Sequence, residues 1–360
     1  MNIPYDENNI PDISKLKAES YDGVELIKWT PKLRGVDSPK GVKTIGVLTS
    51  GGDSPGMNAA IRAIVRGAKY SNIKVYGIMK GYKGLLNGEF KELNGHDVSE
   101  TIERGGTFLM TARSKTFVEP EGTVKAAKMA EIYNLDCLVV IGGDGSFKGA
   151  RALARLGVPV IGIPGTIDND VCCTDYTIGY DTAMNTAVAA IDKLRDTSSS
   201  HERCSVVEVM GRQAGWIAYN VGIATGAEAI LIPEKEYDLD KDIIKIILEG
   251  KTYSKTHWLV VVAEGAGNAQ DIAKRIEERT GIESRATVLG YIQRGGSPTL
   301  RDRTEASLMG LKAVDCIISG KFNRIIAEKK GEIVDLDLEE ALSETKSLPG
   351  DAIYVADRLF

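Results

Sequence analysis

Asp168 and Asp170 stand two positions apart, shortly after the apolar run at 158–163, and their types and spacing suggest catalysis. In extended backbone, side chains two positions apart point the same way, so both carboxylates would face one site. Such a pair suggests a general base and a second contact to a metal ion or a water. The alternative is a pair of Asx turns. Because the chain of 360 residues has only three histidines, an aspartate is the first candidate for the base.

A third carboxylate, Asp144, lies inside a glycine-rich loop at residues 142–146. Glycine loops that open helices can hold phosphate oxygens through backbone N–H groups and the positive end of the helix dipole. Asp144 would repel a phosphate there unless a cation lay between them, and Mg²⁺ binds through one or two carboxylates plus substrate phosphates. The alternatives are an N-cap role for Asp144 and ordinary strand-to-helix turns for the glycines.

Two standard phosphate-binding motifs are absent from the sequence. Gly51 and Gly56 have the spacing of a P-loop, but Met57 and Asn58 follow where Lys and Ser or Thr are required. Lys148 stands where a G-x-G-x-x-G fingerprint would need its last glycine. The sequence therefore supports neither a P-loop NTPase nor an ordinary dinucleotide-binding fold.

Five arginines flank glycine-rich or strand-end segments: Arg113, Arg203, Arg212, Arg285 and Arg294. The planar guanidinium fork suits phosphate, although most surface arginines are merely solvated. Carboxylates, glycine loops and arginines together predict magnesium-assisted phosphoryl transfer to a small phosphorylated acceptor. A general base is needed only if that acceptor is an alcohol.

Composition narrows the remaining choices. The chain has 45 basic and 50 acidic side chains, a formal net charge of −5, which argues against a nucleic-acid-binding surface. Its five cysteines are scattered, so we expect a reducing compartment and a cytoplasmic protein. No apolar run approaches the roughly 20 residues that span a bilayer, so we expect no membrane partner. The three histidines lie too far apart in sequence for an ordinary zinc site.

From residue 43 onward, short apolar runs alternate with glycine-rich turns and helical stretches. We expect strands at 44–48, 74–78, 138–141, 158–163, 205–209, 229–232 and 258–263. We expect helices at 57–69, 98–104, 123–133, 147–156, 183–196, 240–248 and 272–280. Continuous apolar strands are typical of parallel sheets covered on both faces, so the predicted fold is α/β, doubly wound and two-lobed. Ligands bind beyond the carboxyl ends of such strands, where the glycines and charged residues stand.

The segments GGDSPGMNA (51–59), GGDGS (142–146), PGTIDND (164–170), MGR (210–212) and QRGGSP (293–298) follow one another in the chain. In this order they resemble the bacterial-type, ATP-dependent 6-phosphofructokinase family, from about residue 43 to near the C-terminus. The resemblance implies a nucleotide-binding lobe at 43–180 plus about 300–350 and a sugar-phosphate-binding lobe at 181–299. Residues 1–42 are an N-terminal extension that compact bacterial members lack.

The resemblance implies that ATP, with Mg²⁺, phosphorylates fructose 6-phosphate at its 1-hydroxyl. Asp168 matches the base, Thr166 a residue beside the transferred group, Asp144 the magnesium-binding aspartate and Asp170 a supporting carboxylate. Arginines complete the catalytic set at Arg113 and Arg212. The ATP contacts match Gly52, Arg113, Ser114, Gly143, Asp144, Gly145 and Ser146. The sugar-phosphate contacts match Thr166, Ile167, Asp168, Arg203, Met210, Gly211, Arg212, Glu264, Arg285, Tyr291, Ile292, Gln293 and Arg294.

The resemblance also implies a homotetramer in which Arg203 reaches the sugar phosphate across a subunit interface. An effector pocket is matched in part, at Arg62, Arg66, Arg195, Glu228 and Lys255. Other pocket positions differ, since Gly95, His96 and Thr256 replace residues that the family often has, so control by ADP or phosphoenolpyruvate stays open.

Two further positions bear on the substrates. Pyrophosphate-using members generally carry an acidic residue at the position of Gly145 and a lysine at that of Gly165, so both glycines favour ATP. Tyr291 replaces a histidine that the family usually has. The alternatives are a pyrophosphate-dependent or mixed-donor enzyme and a non-catalytic regulatory subunit.

Overall fold

The computed structural model describes residues 41–253, 255–343 and 346–350. Most of the predicted extension at 1–42 lies outside these residues. The described part contains two sheets, each covered by helices on both faces.

The larger sheet has seven strands in the order β11-β10-β5-β4-β1-β2-β3. Its two edge strands pair antiparallel to their neighbours, and the other strands run parallel. The strands are β1 (Thr44–Ser50), β2 (Lys74–Ile78), β3 (Phe90–Leu93), β4 (Cys137–Gly142), β5 (Val160–Pro164), β10 (Arg324–Lys329) and β11 (Glu332–Asp337). The helices in the same stretches of chain are α1 (Met57–Tyr70), α2 (Gly81–Asn87), α3 (Lys115–Val118), α4 (Pro120–Ile132), α5 (Asp144–Arg155), α10 (Leu300–Ile318) and α11 (Leu338–Ala341).

The smaller sheet has four parallel strands in the order β7-β8-β6-β9. They are β6 (Cys204–Val209), β7 (Ala229–Leu231), β8 (Trp258–Ala263) and β9 (Ser284–Val288). Its helices are α6 (Tyr180–His201), α7 (Trp216–Thr225), α8 (Lys245–Thr252) and α9 (Ala269–Thr280). A π-helical turn (Asp240–Ile244) precedes α8, and a 3₁₀ turn (Gly290–Arg294) follows β9.

Apolar side chains fill both faces of the central strands, which explains why those strands read as continuous apolar runs. Along β4, Val139 and Ile141 enter one core, whereas Leu138 and Val140 enter the core on the opposite face. Strand β8 divides its side chains between two cores in the same way. The predicted α/β architecture of mostly parallel, helix-covered sheets is confirmed.

One predicted helix is wrong. Residues 98–104 form turns, and Glu100 has a φ of 52°, in the left-handed region that interrupts a helix. Asp97, expected to start that helix, instead accepts a hydrogen bond from the backbone N–H of Asn94 at 2.9 Å. The other predicted helices and strands are present, most of them with shifted ends. None of the helices in the described part of the chain combines the length and apolar character that a membrane crossing needs.

The strand register brings the predicted loops together. Ser50, Gly142 and Pro164, at the carboxyl ends of β1, β4 and β5, are direct neighbours across the sheet. Val209 and Ala263 are paired in the same way at the ends of β6 and β8. The glycine- and aspartate-bearing loops therefore start side by side at one edge of each sheet.

Candidate active site

The loops beyond β1, β4 and β5 open into a cavity of about 580 Å³. This cavity gathers side chains and backbone from seven separate segments of the sequence. Predicted site residues that line it are Gly52, Arg113, Ser114, Gly143, Asp144, Gly145, Ser146, Thr166, Ile167, Asp168, Asp170, Arg212 and Arg294. The structure thus unites the predicted base, the predicted magnesium carboxylates and the predicted donor contacts.

Asp168 is the most unusual group in the cavity. The residue is only 4% exposed, and its Oδ1 atom is buried without a hydrogen-bond partner among the described residues. Its other oxygen, Oδ2, lies 3.7 Å from Arg212 Nε. Burial, helped by the charge of Asp170, raises the pKa of Asp168 to about 6, although Arg212 and Arg294 oppose the rise. Above that pH the carboxylate can accept a proton through a free oxygen.

The turn that carries Asp168 differs from the extended backbone predicted for it. Asn169 has a φ of 50°, so the chain bends between the two aspartates, yet both line the same cavity. Thr166 stabilises the turn, because its hydroxyl accepts the backbone N–H of Asp168 at 3.2 Å. The Thr166 carbonyl in turn accepts the hydroxyl of Thr177 at 2.6 Å. Burial also raises the pKa of Asp170.

Asp144 is the first residue of α5, and Gly143 occupies the N-cap position, so the alternative of an N-cap role for Asp144 is wrong. The Asp144 carboxylate lies 2.6 Å from Lys148 Nζ, one turn further along the helix. Within the residues that the structure describes, no three His, Cys, Asp or Glu side chains come together in a way that could hold a metal ion. Asp144 and Asp170 can supply only part of a coordination shell, which fits Mg²⁺ bound jointly with donor phosphates.

The cavity that Asp144 lines also has an aromatic floor, formed by Tyr82 and Phe117. The rings of Tyr82 and Phe117 stack at 4.0 Å with an angle of 9° between their planes. A Cβ atom on Gly149 would approach both rings to within 3 Å, so a side chain there would displace them. The Tyr82 hydroxyl donates to the carbonyl of Ser146 at 2.6 Å, which fastens the floor to the glycine loop. The cavity lining also includes four residues that were not predicted as site residues, because no local sequence pattern marks them: Tyr82, Phe117, Lys148 and Gly149.

Arg294 reaches the cavity from the 3₁₀ turn after β9. Its guanidinium carbon lies 3.1 Å from where a Cβ atom on Gly52 would stand, so a side chain there would require the guanidinium to shift. The same guanidinium lies over the ring of Tyr291, 5.3 Å from the ring centre. Tyr291 itself is 79% exposed, as is much of Ile292.

The loops of the smaller sheet hold the backbone around Arg212. Glu264 accepts the backbone N–H groups of Gly211 and Arg212, at 3.3 and 2.7 Å. Gln293, which is fully buried, accepts the backbone N–H of Met210 at 3.4 Å. These predicted sugar-phosphate contacts therefore lie together, and Arg212 connects them to Asp168.

Of the predicted contacts outside the lining of this cavity, Arg203 and Arg285 lie farther away, at the opposite ends of their strands. Both pair with Glu283, and Arg203 Nε lies 2.7 Å from Glu283 Oε2. They flank the amino ends of β6 and β9, whereas Met210 follows the carboxyl end of β6. Six strand residues separate the two ends, a distance of about 20 Å.

The predicted effector residues form two groups. Arg62 and Arg66 are neighbours on α1, and burial followed by the charge of Arg66 lowers the pKa of Arg62. In the second group, Lys255 pairs with Glu228, and Arg195 donates to the carbonyl of Thr225 nearby. Within the described ranges, no hydrogen bond or ion pair joins the groups. The effector pocket stays a prediction.

Comparisons with known proteins agree with this arrangement. The family model described as Phosphofructokinase matches residues 44–317, and the chain belongs to that family. It is 57% identical to an ATP-dependent 6-phosphofructokinase of Clostridium botulinum, over 88% of this chain and 98% of the relative. It is 55% identical to the protein of the same name from Clostridium acetobutylicum, over 88% and 99% of the two chains.

Solved structures show the same fold. The Pichia pastoris phosphofructokinase in the T-state superposes with a TM-score of 0.79 at 36% identity, over 88% of this chain and 39% of that one. A pyrophosphate-dependent phosphofructokinase from Marinobacter aquaeolei superposes with a TM-score of 0.77, over 88% and 91% of the two chains. At 22% identity, the second likeness bears on the fold alone.

Proposed function

We propose that this protein transfers the γ-phosphoryl group of ATP to the 1-hydroxyl of fructose 6-phosphate and releases ADP and fructose 1,6-bisphosphate. The observation that carries the proposal is Asp168 Oδ1, a buried oxygen without a hydrogen-bond partner in the described part of the chain, in a cavity shared with a glycine loop and a second carboxylate. Membership of the phosphofructokinase family and the names of the Clostridium relatives support this choice of substrates.

Asp168 acts as the general base. As the sugar oxygen forms its bond to the γ-phosphorus, its proton passes to Asp168 Oδ1, and the bond between the γ-phosphorus and the β,γ-bridging oxygen breaks. Thr166 keeps the turn in place through the N–H of Asp168. Arg113 and Arg212 line the same cavity as this carboxylate and stabilise the negative charge that spreads over the transferred group.

Asp144 would hold Mg²⁺, with Asp170 as a supporting carboxylate. When bound, the ion would neutralise charge on the donor phosphates. Lys148 would then lose its partner at Asp144 and could pair with a donor phosphate instead. The backbone N–H groups of the glycine loop before α5 offer further donors to those phosphates.

ATP rather than pyrophosphate is supported by space around the donor loop. A Cβ atom on Gly145 would meet nothing within 4 Å, so the donor has that volume to itself. The aromatic floor of Tyr82 and Phe117 offers an apolar surface to the adenine ring of ATP. Pyrophosphate has no such ring. A coupled assay with equal concentrations of ATP and pyrophosphate tests the choice. We expect turnover with ATP, and faster turnover with pyrophosphate would contradict it.

Gly145→Asp sharpens that test. The new carboxylate would extend into the donor's space beside Asp144, so we expect kcat/KM for ATP to fall about 100-fold, or about 3 kcal/mol. Gly145→Ala is the matched control, because it adds one methyl group without charge and should keep ATP use nearly intact. Unchanged kcat/KM for ATP in Gly145→Asp would mean that the donor lies elsewhere.

Arg203 and Arg285 fit a site completed by a second copy of the chain. They lie too far from Asp168 of their own chain, yet they form a cationic pair at one end of β6 and β9. We propose a homotetramer in which they bind the sugar phosphate in a neighbouring subunit. Co-expressed Arg203→Ala and Asp168→Asn chains should regain activity that neither has alone. Failure of the mixed oligomers to regain it would contradict the shared site.

We also propose a cytoplasmic location, supported by the scattered cysteines of the sequence.

A further inference from the structure

Lys346 is a partly buried lysine beside the turn that carries Asp168, and the reaction as described makes no use of it. It stands in the segment after α11, at 346–350, which Leu348 anchors in the core of the smaller sheet. Its ammonium donates to Asn169 Oδ1 at 3.0 Å, to the carbonyl of Thr174 at 2.7 Å and to the carbonyl of Asp175 at 3.3 Å. An ammonium has three protons to donate, and all three find acceptors in one loop.

The loop that Lys346 grips is the one that carries the base. Asn169 separates Asp168 from Asp170 and has a positive φ, so its conformation decides where both carboxylates point. The Asn169 side chain also donates to the carbonyl of Asp175 at 3.3 Å, which closes the loop on itself. Lys346 thus binds both ends of the segment from 169 to 175 at one point.

Lys346 also contacts the element that follows Arg212. Its ammonium lies 5.1 Å from the ring centre of Trp216, the first residue of α7. Only three residues separate Trp216 from Arg212, the arginine beside Asp168. A single side chain therefore connects the turn that holds the base with the segment that holds its arginine.

The burial of this ammonium is costly, which argues that its contacts are specific. Burial lowers the pKa of Lys346 to about 8, while Asp175 and Asp170 oppose the shift and Lys329 adds to it. If Lys346 served packing alone, an uncharged side chain would fill the same space without this desolvation cost. Lys346 instead donates all three N–H groups to the backbone and a side chain of the loop.

We propose that Lys346 is a positioning residue that fixes the turn from Asp168 to Asp170 and keeps Asp168 Oδ1 aimed at the sugar hydroxyl. This inference rests on the proposed function. It places the effect of Lys346 on the chemical step and not on substrate binding, because Lys346 does not line the cavity.

The test compares Lys346→Met with Lys329→Met in the full-length chain. Lys329 is a matched control, because its Nζ lies 3.6 Å from the Asp175 side chain. In the described part of the chain, no hydrogen bond or ion pair joins Lys329 to the turn at 168–170. We expect Lys346→Met to lower kcat about 10- to 100-fold, as a displaced base would, with KM for fructose 6-phosphate nearly unchanged. Lys329→Met should keep both values.

Thermal unfolding of each variant separates positioning from a merely structural role. A lower unfolding midpoint with unchanged kcat would overturn the inference, as would a higher KM at unchanged kcat. If Lys346→Met does not fold, Lys346→Gln replaces it, because the amide keeps two N–H donors without the charge. Its kcat must then fall below that of Lys329→Met, or the inference is wrong. Absence of turnover in the parent chain would instead contradict the proposed function.

Discussion

Two buried aspartates, Asp168 and Asp302, have opposite surroundings. Asp302, on α10, is fully buried and accepts four hydrogen bonds, from the Tyr176 hydroxyl, the Gly179 N–H, and the N–H and hydroxyl of Thr182. Asp168 is almost as deeply buried, but one of its oxygens has no partner among the described residues. Burial raises the pKa of both carboxyl groups.

The difference separates a structural carboxylate from a reactive one. Helix α6 begins after Gly179, which has no side chain to cap its first N–H groups, and Asp302 supplies that cap from another helix. All four bonds to Asp302 lie within 2.9 Å, so it has no free lone pair for a substrate. Asp168 has the burial without the bonds, and its free oxygen faces a cavity. A buried carboxylate thus points to a reactive role when one of its oxygens lacks a hydrogen-bond partner.

The largest effect should come from Asp168→Asn. The amide keeps the shape of the side chain but cannot accept the proton as a base, so kcat should fall about 10³- to 10⁴-fold. Fructose 6-phosphate should bind nearly as tightly as to the parent, because the contacts around Met210 and Arg212 remain. Steady-state turnover and equilibrium binding measure the two quantities. Near-normal turnover would mean that the base lies elsewhere.

Asp302→Asn should show the reverse pattern. Each carboxylate oxygen accepts two of the four bonds, so two donors would face the amide NH₂ group, and the backbone N–H of that pair cannot turn away. We therefore expect the free energy of unfolding to fall by about 3 kcal/mol. The folded fraction should lose far less kcat than Asp168→Asn does. Chemical denaturation of the two variants side by side gives the comparison, and an Asp302→Asn protein as stable as the parent would refute the structural assignment.

The pH dependence should belong to Asp168. With its pKa raised to about 6, the carboxylate becomes protonated as the pH falls below that value, and Oδ1 can no longer accept a proton. We expect kcat/KM to fall about tenfold per pH unit on that side. The residual activity of Asp168→Asn is the control, since the sugar phosphate still titrates there. If the parent and Asp168→Asn had identical pH profiles, the fall in kcat/KM at low pH would belong to the substrate.

The smallest effect is on stability. The folded-state pKa of Asp168, about 6, lies above its ordinary value of 3.8, so the ionised group destabilises the folded protein at neutral pH. That cost disappears as the pH falls below 3.8. Asp168→Asn removes the charge and should raise the free energy of unfolding by at most about 3 kcal/mol at pH 7 and by almost nothing near pH 3. A variant less stable than the parent at pH 7 would contradict this.

The central strands could be predicted from the sequence, but the peripheral ones could not. Lys74–Ile78 and Trp258–Ala263 match their predicted bounds, because burial on both faces requires continuous apolar residues. Strands β3, β9, β10 and β11 were absent from the prediction, and β3 and β9 expose much of their surface. Helix α7 was missed as well, since it lacks a polar face and so has no amphipathic pattern.

The site residues also divide into those that could be predicted from the sequence and those that could not. Asp144, Asp168 and Asp170 were predictable because they follow strands whose carboxyl ends must meet. Lys346 was not, since it contacts Asn169 across 177 positions of sequence and no local pattern marks it. Tyr82 and Phe117 likewise form a floor only when α2 and α3 pack together. Residues that act through distant contacts become visible only in the folded chain.

The most direct test of the account is the rate of a single turnover in Asp168→Asn with Mg·ATP and fructose 6-phosphate both bound. Rapid quenching separates the phosphoryl-transfer step from binding and product release. We predict that this step alone slows by about 10³-fold or more while both substrates remain bound. Transfer at the parent rate would contradict the claim that the unpaired oxygen of Asp168 takes the proton.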